Sequence, residues 1–136
     1  MKFKIIKKTN QRKPTSTCIH FGKSGAMTIY EKAADQMELK AGDQIALIQD
    51  NDRPDDFYIL KMKSDELPVL RRKNEKSNML TAGYKDAHRA LVDHFQLPEA
   101  SVKLIVGGAI KTPHGTAWAL ITNALKKERL KEVQYA

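Results

Sequence analysis

A single cysteine, Cys18, is present in 136 residues. One thiol excludes an internal disulfide framework and any closed zinc site built on several thiolates at tight spacing. Long apolar runs are missing as well, and none approaches the ~20 residues that carry a helix across a bilayer. The basic opening MKFKIIKKTNQRK is not followed by the apolar stretch of a secretory signal. No Ser/His/Asp, Cys/His or paired-carboxylate arrangement stands at a spacing that supports catalysis. These absences predict a cytoplasmic protein that needs no membrane, carries no cofactor and catalyses no reaction. What is present is ordinary for a soluble globular chain: 41% apolar and 29% charged residues. At this length a modest core forms without help from a metal or staples.

Charge is the first distinctive feature. The formal net charge is +8. Residues 1–30 hold seven Lys or Arg and no acid, residues 31–68 hold five bases against ten acids, and residues 69–136 hold twelve against six. Two basic segments flank an acidic middle. Such segregation suits a polyanion, because neutralising phosphates releases counterions; it also suits a basic surface that only keeps the protein soluble.

The chain reads as an α+β protein, a small β-rich barrel or sheet with short helices. Residues 2–8 alternate as a short strand. Thr17–Phe21 and Ala26–Tyr30 make a hairpin around Gly22-Lys23-Ser24-Gly25. Glu31–Leu39 is a short helix, with Gly42 as its left-handed stop. Gln44–Gln49 and Phe57–Met62 make a second hairpin around the acidic turn 50–56. Arg71–Asn78 is charged, weakly patterned and read as a connector between an N-terminal half, residues 1–68, and a C-terminal half, residues 69–136. Tyr84–Gln96 is a helix whose stripe is Tyr84, Ala87, His88, Leu91, Val92 and Phe95. Ser101–Val106 and Ala117–Ile121 are strands, Gly107-Gly108 a bulge or turn, and Asn123 the cap of a final helix.

The two halves share a pattern. QMELKAGDQIALIQD lies over HFQLPEASVKLIVGG with its apolar positions roughly in phase, and FYIL lies over WALI. A duplicated α-β-β unit fits this, as does a single compact domain in which both halves share a sheet.

Candidate chemistry is sparse. The GKS at Gly22–Ser24 lacks the glycine a phosphate loop needs five residues before its Gly-Lys pair, where Thr17 stands, and it leads into a strand. Cys18 and His20 share a strand face, yet no further metal ligands lie near them in sequence. His88 and His94 fall on different helix faces. The run Asp50–Asp56 is rich in carboxylates but lacks the glycine and distal glutamate of a calcium loop, so no metal is expected.

Residues 25–61 resemble the AbrB/MazE/SpoVT group of swapped-hairpin DNA-binding domains. The resemblance is carried by Gly25-Ala26-Met27-Thr28-Ile29, the turn Leu39-Lys40-Ala41-Gly42-Asp43-Gln44-Ile45, and Phe57-Tyr58-Ile59-Leu60-Lys61. It covers about a quarter of the chain. Ala26 stands where the group has a basic residue, and Tyr30 where it has a proline. The resemblance implies a DNA-binding regulator or accessory factor acting as a homodimer, since a swapped-hairpin half leaves strand edges for a partner. Closure by the second half of the same chain is the rival expectation. The phosphate contacts expected are Lys2, Lys4, Lys7, Lys8, Arg12, Lys13, Lys23 and Lys32, with Arg71, Arg72, Lys73 and Lys76 as a second patch. Single- or double-stranded DNA would serve. The alternative function is a protein–protein or virion assembly module that binds an acidic partner.

Overall fold

Eight short strands and two helices make up the computed structural model, which describes residues 17–98, 100–123 and 125. In chain order they are β1 (Cys18–Phe21), β2 (Ala26–Ile29), α1 (Glu31–Gln36), β3 (Ile45–Gln49), β4 (Phe57–Lys61), β5 (Arg71–Arg72), β6 (Leu80–Gly83), α2 (Lys85–Phe95), β7 (Val102–Thr112) and β8 (Gly115–Ile121). The strands form one antiparallel sheet in the order β3-β4-β8-β7-β1-β2-β6-β5. It curls into a half-barrel whose two edges meet at one end. There the Gly42 N–H donates to the Leu70 carbonyl (2.7 Å), the Leu70 N–H donates to the Asp43 carbonyl (2.8 Å), and Gln44 bridges Val69.

The pairing has an internal exchange symmetry. Swapping β1–β4 with β5–β8, element for element, preserves every neighbour pair except β1–β7. The β1–β2 hairpin exchanges with β5–β6, and β3–β4 with β7–β8. The β2–β6 and β4–β8 pairs map onto themselves. The β1–β7 pair maps onto the seam between residues 69–70 and the start of β3. The helices follow the same scheme. A tyrosine precedes each, Tyr30 and Tyr84. Each ends at a left-handed non-glycine residue, Glu38 (φ 55°) and Gln96 (φ 53°). The next N–H then reaches back five residues, Leu39 to the Ala34 carbonyl (2.9 Å) and Leu97 to the Val92 carbonyl (3.0 Å). This double use of one stop motif satisfies carbonyls that a helix end would leave unpaired.

Strands lie where alternation predicts them, at β1–β4, β7 and β8. Three readings are corrected. Helix α1 closes at Gln36, with Glu38 in the left-handed position; Gly42 does have φ 96°, but in the following turn. Arg71–Arg72 is an edge strand and not part of a connector, and Leu80–Gly83 is a strand that the sequence does not signal. Neither segment has the β-branched alternation that marks a strand; Leu80–Gly83 is set by pairing with β2, and Arg71–Arg72 by pairing with Leu80–Gly83. Gly107-Gly108 is a bulge within β7, between Val106 and Ala109. The strand expected at residues 2–8, and all of the final helix beyond Leu125, lie outside the described residues. No helix among the described residues is long and apolar enough to cross a membrane.

One core holds the inward side chains of both halves, including Ile19, Phe21, Met27, Ile29, Ile59, Leu80 and Leu104, together with Ala33 and Ala34 of α1. The α2 stripe joins it through Ala87, Leu91, Val92 and Phe95. His88 is also buried, and its Nε2–H donates to the Ala100 carbonyl at 2.7 Å. Trp118 is half-buried against this core.

Leu91 is fully buried. Leu91→Ala should therefore destabilise the fold by about 2–5 kcal/mol, a transfer term plus a cavity. Arg89→Ala, on the exposed side of the same helix, should change stability by less than about 0.5 kcal/mol. Denaturant titration compares the two directly; equal effects would contradict this packing. Because the second half supplies the pairings that a partner was expected to supply, the chain should sediment at micromolar concentration as one 15.4 kDa species. A doubled mass would show that the sheet edges still recruit a second copy.

Candidate nucleic-acid interface

None of the eight strands contains an Asp or Glu. They carry Lys61, Arg71, Arg72, Lys103 and Lys111, so every described carboxylate sits on a helix, turn or loop. The side chains that alternate with the core residues face outward, and register aligns five of them. Lys103 pairs with His20, His20 with Thr28, Thr28 with Thr81, and Thr81 with Arg71. The row crosses β7, β1, β2, β6 and β5. At 4.7–4.9 Å between strands it is ~19 Å from end to end. Its ends are cationic and exposed, and its middle offers the part-buried imidazole of His20 and hydroxyl of Thr81, with Thr28 buried between them. The Thr81 hydroxyl donates to the Met27 carbonyl (2.9 Å), which fixes its rotamer.

Tyr30 lies beside the cationic end. Its N–H donates to the Cys18 carbonyl (3.1 Å), and the Lys103 ammonium stands 4.9 Å from its ring centroid. At the other margin, Arg72 alternates with Arg71 and turns to its own loop. Its guanidinium donates to the carbonyls of Glu75 (2.9 Å) and Ser77 (3.4 Å). That loop is built on the Asn74 side-chain oxygen, which accepts from the Lys76 and Ser77 N–H groups (both 3.0 Å) and from the Ser77 hydroxyl (3.1 Å). Lys73 and Lys76 are exposed on it.

Lys23 occupies the β1–β2 turn, exposed, with its N–H donating to the Ser101 hydroxyl just before β7 (3.3 Å). The turn is a hairpin tip, as its sequence predicts. The Gly22 N–H donates to the Ala26 carbonyl (2.7 Å), and a side chain at Gly22 would meet that oxygen at 2.9 Å. Gly25 adopts φ 97° and packs on Lys85. Lys32 is exposed on the first turn of α1, apart from the row. Lys2, Lys4, Lys7, Lys8, Arg12 and Lys13 lie outside the described residues.

Of the expected contacts, the structure thus places Arg71 in the row, Lys23, Lys73 and Lys76 on hairpin loops, and Arg72 on backbone carbonyls. The sequence gives no signal that sets Lys103, His20, Thr28, Thr81 and Tyr30 side by side. Spacing along the chain gives no signal for residues 53 or 83 positions apart; only strand register joins them.

The acidic turn lies beyond the ends of β3 and β4, away from the row. Asp50 accepts from the N–H groups of Asp52 (2.8 Å) and Arg53 (3.3 Å), as in a turn. Asp55 accepts from His94 Nε2 (2.8 Å), which ties the turn to α2. Among the described residues no three His, Cys, Asp or Glu side chains are grouped so as to hold a metal ion. A cleft at the end of α1, lined by Asp35, Glu38, Lys40, Lys61 and Asn78, carries both signs of charge and suits no polyanion. No protein-family model, curated protein or solved structure matches the chain.

Asn74 holds the basic loop through one oxygen and three hydrogen bonds. Asn74→Ala should cost about 1–2 kcal/mol and speed hydrogen exchange at the Lys76 and Ser77 amides. Unchanged exchange there would show that the loop is held by something else.

Proposed function

We propose that this protein is a non-enzymatic nucleic-acid-binding protein, a DNA-binding regulator or accessory factor, whose outward sheet face meets the phosphate backbone. The observation that carries the reading is the acid-free sheet with its aligned row Lys103, His20, Thr28, Thr81 and Arg71. Arg71 offers a planar fork to a phosphate and Lys103 a point charge. The His20 imidazole and Thr81 hydroxyl between them offer weaker polar contacts that position a strand without reading its sequence. Lys23, Lys73 and Lys76 extend the positive field beyond the row, and the basic segment before Thr17 adds to it. Confinement of the carboxylates to helices and loops removes repulsion from this face.

The resemblance of residues 25–61 to swapped-hairpin DNA-binding domains belongs to this reading. So does duplication: two ββαββ units would have arisen from one, supported by the exchange symmetry of the strand pairs and by the shared stop motif at Glu38 and Gln96. A homodimer is no longer needed to complete the sheet.

Retention on nucleic acid should fall steeply between about 50 and 200 mM salt. The double variant K103A/R71A should lower the slope of log affinity against log salt by about 1.4 for single strands or 1.8 for duplex. Removing residues 1–13, with their six bases, should weaken binding more than about tenfold at low salt. No retention at low salt would overturn the reading. A protein partner that co-purifies through nuclease treatment would favour the other function, a module for an acidic protein.

A further inference from the structure

If this outward face meets nucleic acid, as read above, its shape also selects the form of nucleic acid. We infer that the ligand is single-stranded and that Tyr30 is a stacking platform for one of its bases.

The row is five strands wide, ~19 Å between its end strands before side chains are added. The duplex major groove is ~12 Å wide and takes a helix or a two-stranded ribbon; the minor groove is ~6 Å wide. A face of this breadth enters neither. Curvature acts in the same direction. The core side chains of β1, β2, β6 and β7 share one cluster with both helices, so the row lies on the opposite, convex side of the curled sheet. A convex face touches the convex outside of a duplex over a small area, and His20, Thr28 and Thr81 would meet no base edge. A flexible single strand bends over the same surface and brings phosphates to Lys103 and Arg71 and bases to what lies between.

Tyr30 supplies the aromatic element such binding uses. Its ring is half-buried on this side of the sheet and sits under the Lys103 ammonium, with His20 paired beside Lys103 on the next strand. Drawing the Lys103 ammonium off the ring and onto a phosphate would uncover the ring for the base of the same nucleotide. Stacking tolerates any base, in keeping with a row that carries hydroxyls and cations but no carboxylate or side-chain amide to choose among bases.

The test measures fluorescence anisotropy of the full chain at about 50 mM salt with three labelled probes. They are an oligothymidylate of ~15 nucleotides, an oligouridylate of the same length and a duplex of ~15 base pairs. Either single strand should bind at least about tenfold tighter than the duplex, and the two arms separate DNA from RNA. Tyr30→Leu should weaken single-strand binding about tenfold with an unchanged salt slope, and Tyr30→Phe should retain binding. Because Tyr30 also precedes α1, ultraviolet cross-linking of the unaltered chain gives an independent readout, with the oligonucleotide attached to the peptide containing Tyr30. Duplex binding as tight as single-strand binding, or cross-links only elsewhere, would overturn the inference and leave the nucleic-acid reading standing. No binding to any probe would overturn both.

Discussion

Strand edges are the constraint on which this fold depends. The described residues of each half make two hairpins and a helix, and neither half pairs all its strands alone. Pairing of β2 with β6, β4 with β8 and β1 with β7 removes those edges within one molecule. Among the described residues the outer sides of β3 and β5 are left, and the bonds among residues 42–44 and 69–70 draw their ends together. An unpaired backbone edge invites association with another chain, so intramolecular closure changes the expected assembly as well as the topology.

Closure in turn fixes the core and the helices. Interleaving puts inward side chains from both halves into a single cluster, and α1 and α2 each add one apolar face to it. Both helices must then stop abruptly so that the chain can enter β3 or β7. Glu38 and Gln96 accept a left-handed conformation of the kind that costs a non-glycine residue about 1–3 kcal/mol, and the back-bonded carbonyls offset part of that cost. The turn after α1, with Asp43 accepting from the Lys40 N–H (2.8 Å) and pairing with Lys61 (3.2 Å), is also the seam that joins the sheet edges. Its Leu-x-x-Gly-Asp pattern is therefore explained by topology whatever the surface binds.

The same register that closes the sheet builds the outward row. Antiparallel partners face the same side, so residues far apart in sequence become neighbours at one strand spacing. Charge is sorted by this placement: among the described residues the acids of the middle segment fall on turns and helices, and the charged residues of the strands are all bases. Ile105 and Ile121, partners in β7 and β8, mark where the outward face becomes apolar next to Cys18.

Local chemistry in the sequence determined the hairpin at Gly22–Gly25, the hairpin around the acidic turn, the α2 stripe and the bulge at Gly107-Gly108. Each of these depends on residues within a few positions of one another, through glycine conformation, alternation or helical spacing. The apolar phase of QMELKAGDQIALIQD over HFQLPEASVKLIVGG marked a shared pattern in the two halves without saying how they pair. Leu80–Gly83 became a strand only because β2 offered it a ladder, and Arg71–Arg72 only because Leu80 and Thr81 did. The grouping of Lys103, His20, Thr28, Thr81 and Arg71 was likewise decided by tertiary structure alone. A slip of one residue in any of these strands would turn its member of the row toward the core, and what sets the register is burial of Ile19, Met27, Leu80 and Leu104 on the other face.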